Sequence, residues 1–191
     1  MDYETRVILT RLQIRRIAQG FRKMFNVASL RFPVIKVLDL LVVKFDGNLT
    51  YSIEEDSSFD TNVMAELQSN GDGRYNIRIR QSVFDKATSG DRASIGYICH
   101  EMCHYLLIGV LDIGPKLYQA TDGMVYTKSI NSNDMPLYKS MEWQAKALCG
   151  EVMIPYEECK ALSLSEIVDK TQSSTEQAKY FIKYVANNIE E

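Results

Sequence analysis

All of the imidazole in this chain sits in one turn. The stretch "GYICHEMCHYLLIG", Gly96 to Gly109, holds His100 and His104, the only two histidines among 191 residues, and Glu101 directly follows the first. The segment is otherwise apolar, and two histidines with a carboxylate are costly to bury unless something pairs with them. On a helix, positions 100 and 104 lie one turn apart and face the same way, so both rings can grip a single metal ion. Glu101 falls about 100° further round the helix, within reach of a water at that ion but clear of the coordination positions. There it suits the role of general base. The pattern therefore demands a buried helix that carries a metal site, and the rest of the chain must be arranged around it.

His-Glu-x-x-His on a helix is a metallopeptidase signature with a mechanism behind it. A catalytic zinc usually takes three protein ligands and keeps a fourth position open. No third histidine exists, so the remaining ligand is a carboxylate or a thiolate, and "SMEWQAKALCGEVMIP" offers Glu142, Cys149 and Glu151. Two imidazoles with a carboxylate suit zinc, and they also hold manganese or another divalent ion.

Around that site the sequence reads as α+β. Val7, Ile14, Ile17, Phe21, Met24 and Ala28 form an amphipathic stripe that predicts a helix over residues 3–28. "PVIKVLDLLVVKF" predicts a helix, or a helix running into a strand. "LTYSIEED", "NVMAELQS" and "RYNIRIRQ" predict three strands, with Asn70-Gly71-Asp72-Gly73 as a hairpin turn between the last two. A small antiparallel sheet is expected. In its last strand Tyr75, Ile77 and Ile79 alternate with polar residues, and the strand from Arg74 to Arg80 is the expected edge for pairing with an extended substrate.

Asp91 is the expected N-cap of the His-bearing helix, which runs to about Ile108. Residues 109–135 read as loop. A second helix is expected over 137–152, stopped near Pro155. The tail carries two capping-box patterns, Ser163 to Glu166 and Ser174 to Gln177, each opening a short helix in a helix-turn-helix-like pair. The expected division is a domain over 1–155 and a small helical segment over 156–191 packed on it. Tyr97, one turn before the histidines, and Tyr118, Tyr126 and Tyr138 are candidates to line the site or steady an oxyanion, with none singled out.

Composition narrows the functional classes. No apolar run approaches the roughly 20 residues that span a membrane, and the start lacks the layout of a secretory signal. A cytoplasmic protein with reduced Cys99, Cys103, Cys149 and Cys159 is expected. Net charge is −3, and the segment from Thr175 to Asn187 lacks the basic density that grips phosphates, so direct nucleic-acid binding is not expected. Arg6, Arg11, Arg15, Arg16, Arg22 and Lys23 make the first helix basic, a solvated face or a docking face for an acidic partner.

The gathered motifs resemble the ImmA/IrrE metallopeptidases, whose members carry an HExxH helix followed by a helix of the form E-x-x-A-N-x-F-A-x-E-L-L-M-P. "EWQAKALCGEVMIP" matches it at Glu142, Ala145, Glu151 and Pro155. The similarity covers most of residues 30–185 apart from 109–135. It departs at Cys103, where the family usually has Gly, at Lys146 in place of Asn, and at Leu148 and Cys149 in place of Phe and Ala. The resemblance implies a zincin-like fold, zinc held by His100, His104 and Glu142, and Glu101 as the catalytic base. It further implies a site-specific endopeptidase whose protein substrate is a cognate Xre-type helix-turn-helix repressor. Cys103, set between the histidines, is a possible crowding or silencing group. The competing expectation is a regulatory binding module on the same scaffold, without turnover.

Overall fold

The computed structural model describes residues 3–115, 117–120, 123–126 and 136–186; the side chains of 117–120 and 123–126 lie outside this description. The architecture is α+β. Helices α1 (Arg11–Met24) and α2 (Val34–Lys44) come first, followed by strands β1 (Leu49–Glu54), β2 (Ala65–Ser69) and β3 (Tyr75–Arg80), then α3 (Gln81–Thr88) and α4 (Arg92–Tyr105). A π-helical turn, Leu106–Val110, extends α4. Then come strands β4 (Leu117–Ala120) and β5 (Gly123–Tyr126), α5 (Met141–Met153), and the short helices α6 (Tyr156–Cys159), α7 (Leu164–Thr171) and α8 (Thr175–Tyr180). No helix among the described residues is long and apolar enough to cross a membrane.

Helix α1 begins eight residues later than its apolar stripe suggests. Thr10 is the cap: it accepts the Gln13 N–H, and the Gln13 side chain accepts the Thr10 N–H in return. Ile14, Ala18 and Phe21 are buried, whereas Val7 is 45% exposed and plays no part in that face. Residues before the cap run extended instead. Thr5 donates its N–H to Lys139 O, Arg6 to Gly114 O, and Met141 donates to Tyr3 O, so this strap ties the end of α4 to the start of α5. The apolar run from Pro33 resolves as helix throughout, with Val37, Leu38 and Leu41 buried.

The three expected strands are present, but the sheet is mixed rather than antiparallel, in the order β1-β3-β2. β1 pairs parallel with β3, and β2 pairs antiparallel with β3 through the turn at Gly71 and Gly73, both at positive φ. β3 is therefore central and β2 is an edge, which corrects the expected placement of residues 74–80. Long-range chemistry fixes this order. Arg78, mid-strand in β3, bonds Glu54 of β1 at 2.7 Å on one side and meets Glu66 of β2 on the other, while Ile77 and Ile79 point into the core and are fully buried. A strand with a mid-strand cation at Arg78 and two apolar anchors is satisfied best between two strands that each bring a carboxylate.

α1 packs on α5, and α4 packs against β2, β3, α2, α3 and α5. Its C-terminal end is set by Tyr105, 1% exposed and in edge-to-face contact with Phe45 and Tyr75. Gly109 lies against that ring: a Cβ there would sit 2.5 Å from Tyr105 Cε2. Residues 109–135, expected as loop, include the antiparallel pair β4–β5; 127–135 lie outside the described residues. In the tail both capping boxes form, at Ser163 and Ser174. Ile167, Ala178, Phe181 and Val185 join the main hydrophobic core.

Candidate metal centre

Each element of the site is positioned by ordinary local chemistry. The Asp91 side chain caps α4 by accepting the Ser94 N–H at 2.8 Å, which starts the helix at Arg92, eight residues before His100. Ser140 caps α5 by accepting the Trp143 N–H at 2.9 Å. That places Glu142 in the first turn of α5, where the free N–H groups and helix dipole favour a carboxylate. The two helices pack side by side, and Glu142 faces the histidine turn.

The three side chains converge. His100 Nε2 lies 3.1 Å from His104 Nε2 and 3.3 Å from Glu142 Oε2, and His104 Nε2 lies 3.1 Å from Glu142 Oε1. Ligands at about 2.0–2.2 Å from a tetrahedral zinc sit about 3.3 Å from one another. The two imidazole nitrogens, each with one oxygen of the Glu142 carboxylate beside it, thus converge at spacings close to those a single small cation requires. Two imidazoles and a carboxylate are also a donor set that zinc accepts with one position left over, so the residues fit the metal that the sequence implies. Burial works against the Glu142 charge, but hydrogen bonds from His100 and His104 outweigh it and hold the carboxyl well below the usual carboxylate range.

Glu101 stands on the neighbouring stripe of α4. It is 9% exposed, and burial pushes its carboxyl up to about 7 despite the attraction of His100. Its Oε2 accepts the backbone N–H of Leu67 at 2.9 Å. The edge strand β2 thus orients the carboxylate directly, a contact that the sequence reading did not anticipate. All four residues border one open cavity of about 500 Å³. Its walls include Met64, Ala65 at the start of β2, Tyr97, Ile108 and Met141.

Three carboxylate or thiolate candidates were available on α5, and the structure sends them to three places. Glu142 joins the histidines. Glu151 is buried and pairs with Arg15 at 3.4 Å, and that guanidinium lies over the Tyr156 ring at 3.4 Å. Cys149 meets Cys99 and Cys103 in a separate cluster. Cys103 is therefore turned into the core, fully buried, on the stripe behind the histidines. Hydrogen bonding to its two neighbours and burial push the Cys99 thiol up, and burial does the same to Cys103.

Tyr97 lines the cavity at 45% exposure, whereas Tyr138, 50% exposed, does not border it. The side chains of Tyr118 and Tyr126 lie outside the described residues. The basic set of the first helix is partly consumed within the fold. Arg22 is buried and donates to Val152 O at 2.6 Å, Arg15 holds Glu151, and Arg6 pairs with Asp112 at 2.6 Å. No family model matches the chain, and neither curated proteins nor solved structures give a match.

Proposed function

We propose that the chain is a metal-dependent endopeptidase with His100, His104 and Glu142 as zinc ligands and Glu101 as general base. The observation that carries this reading is the donor spacing: the two imidazole nitrogens lie 3.1 Å apart and each has a different Glu142 oxygen at 3.1–3.3 Å, with a buried carboxyl of raised pKa in the same cavity. A divalent ion held there supplies a Lewis acid that polarises a peptide carbonyl and acidifies water.

The chain's own residues supply the remaining steps. Glu101, titrating near neutrality, is matched to accept a proton from the attacking water and to return it to the leaving amine. The Leu67 N–H holds Oε2 in place while the other oxygen is left to work. Along β2, Leu67 directs its N–H away from β3, and Ala65, two residues earlier, shares that orientation. The edge therefore offers backbone groups to an extended substrate beside the catalytic carboxylate, in the role first assigned to residues 74–80.

The substrate class rests on the motif resemblance to ImmA/IrrE proteins, carried by HEMCH and by Glu142, Ala145, Glu151 and Pro155. In that reading the zincin-like core cleaves a cognate Xre-type repressor at one site in the cytoplasm, and the capped α7–α8 pair is the helix-turn-helix-like segment of the family. The test is to incubate zinc-loaded protein with candidate Xre-type repressors and read cleavage by mass spectrometry. One discrete cut, abolished by Glu101→Gln with zinc retained, supports the reading. An uncut repressor that still forms a complex with wild type and with Glu101→Gln alike would assign the chain to the binding-module class.

A further inference from the structure

Behind the imidazole stripe, on the core side of α4, Cys99 and Cys103 stand one turn apart and meet Cys149 of α5. The three sulfur atoms lie within 4.8 Å of one another. Cys99 and Cys103 are fully buried, Cys149 is 4% exposed, and all are free thiols. The fourth cysteine, Cys159, is buried but stands outside the trio. We propose that this trio is a second, soft-donor site, which takes up the trivalent metalloid arsenite as a neutral tris-thiolate. The proposal stands apart from the peptidase reading and does not depend on it.

The argument is one of charge and coordination number. Three thiols that give up their protons leave three negative charges in a core lined along these helices by Ile98, Met102, Leu148 and Val152, each fully buried. A monovalent copper ion would leave two of those charges uncompensated and a divalent ion one, and an unpaired charge in such surroundings is expensive. A trivalent centre leaves none. A structural zinc ion also asks for four ligands, whereas this cluster converges three, the adjacent imidazoles being engaged with Glu142. Soft thiolates select thiophilic centres, and trivalent arsenic is satisfied by three sulfurs with its lone pair in the fourth direction.

The exchange balances without an oxidant. Arsenite enters as the uncharged trihydroxide. Each S–H proton passes to one hydroxide, which leaves as water, so three As–O bonds break, three As–S bonds form and the oxidation state is unchanged. Because no charge enters or leaves the core, only a local parting of α4 and α5 is needed for access. The product ties Cys149 to Cys99 and Cys103, and so joins the same two helices that carry His100, His104 and Glu142.

The test is to incubate the full-length chain with arsenite, remove the excess, count arsenic and zinc per chain by elemental mass spectrometry, and read the arsenic neighbours by X-ray absorption. About one arsenic per chain is expected, bonded to three sulfurs and no oxygen, with zinc content unchanged. Cys159→Ala should behave as wild type, while Cys99→Ala or Cys149→Ala should weaken retention roughly a hundredfold through loss of one tethered donor. The absorption spectrum of wild type needs no variant, so it decides the matter even if a core substitution misfolds. Failure to retain arsenic, oxygen among its neighbours, dependence on Cys159, or indifference to loss of Cys99 or Cys149 would each overturn the proposal.

Discussion

Replacing Glu101 by Gln in the metal-free protein should make the fold more stable at pH 8 than at pH 4.5, relative to wild type. The folded-state value is pushed up from 4.5 to about 7, chiefly by burial. The sign follows directly. Below about pH 4.5 both the folded and unfolded chains hold the proton, and the carboxyl costs nothing relative to an amide of the same shape. Between about 4.5 and 7 the unfolded chain ionises while the folded chain resists, so wild type loses stability as pH rises. Above 7 the folded chain also ionises and the loss levels off. The rise from 4.5 to about 7 corresponds to about 3 kcal/mol. The substituted amide keeps an acceptor for the Leu67 N–H, so that contact survives the change. Urea unfolding of chelator-treated wild type and Glu101→Gln across this range should show the gap opening toward pH 8. Zinc should then narrow it, because a nearby cation favours the carboxylate form. A difference that stays flat from pH 4.5 to 8 would refute the burial argument, and with it the matching of Glu101 to base catalysis at neutral pH.

Other consequences are separable by assay. Glu151→Ala should cost about 3 kcal/mol in denaturant unfolding, since it strands the Arg15 guanidinium in a mostly buried position, while leaving metal content unchanged. Gly109→Ala should cost about 1–3 kcal/mol, because the added methyl meets a Tyr105 ring held between Phe45 and Tyr75; thermal unfolding would show it. Ala65→Pro removes an N–H that points off the sheet edge, so it should leave the fold intact and raise KM for an extended substrate. Proline at Arg78 should instead prevent folding, because β3 is central.

The parts of the site that were legible in the sequence are those set by local spacing. A three- or four-residue repeat places His100 beside His104 and Glu101 on the next stripe, and capping residues such as Asp91 announce a helix start. Segment identities for the strands were legible for the same reason. Strand order was not, because the choice between edge and centre for residues 75–80 is made by Glu54 and Glu66, 24 and 12 residues away from Arg78. The strap before Thr10 was hidden by Val7, whose spacing fits a stripe that the capping box at Thr10 cuts short. The choice among Glu142, Cys149 and Glu151 also waited on partners from elsewhere: the histidines, the other two thiols and Arg15 each claim one.

The Leu67 contact shows how the fold and the chemistry meet. An edge strand exists to be paired, and here one of its outward N–H groups is taken by the carboxylate proposed to activate water. Exposure of that edge is otherwise a liability in a sheet. Set beside a cavity of about 500 Å³, the edge is the surface that the proposed function assigns to an extended substrate.

The most direct measurement is metal stoichiometry and affinity on purified, refilled protein, comparing wild type with His104→Ala and Glu142→Gln. The account predicts one zinc ion per wild-type chain, bound much more weakly in both variants, with the fold retained by circular dichroism. Zinc held undiminished by Glu142→Gln, or a folded wild type that binds none, would contradict it.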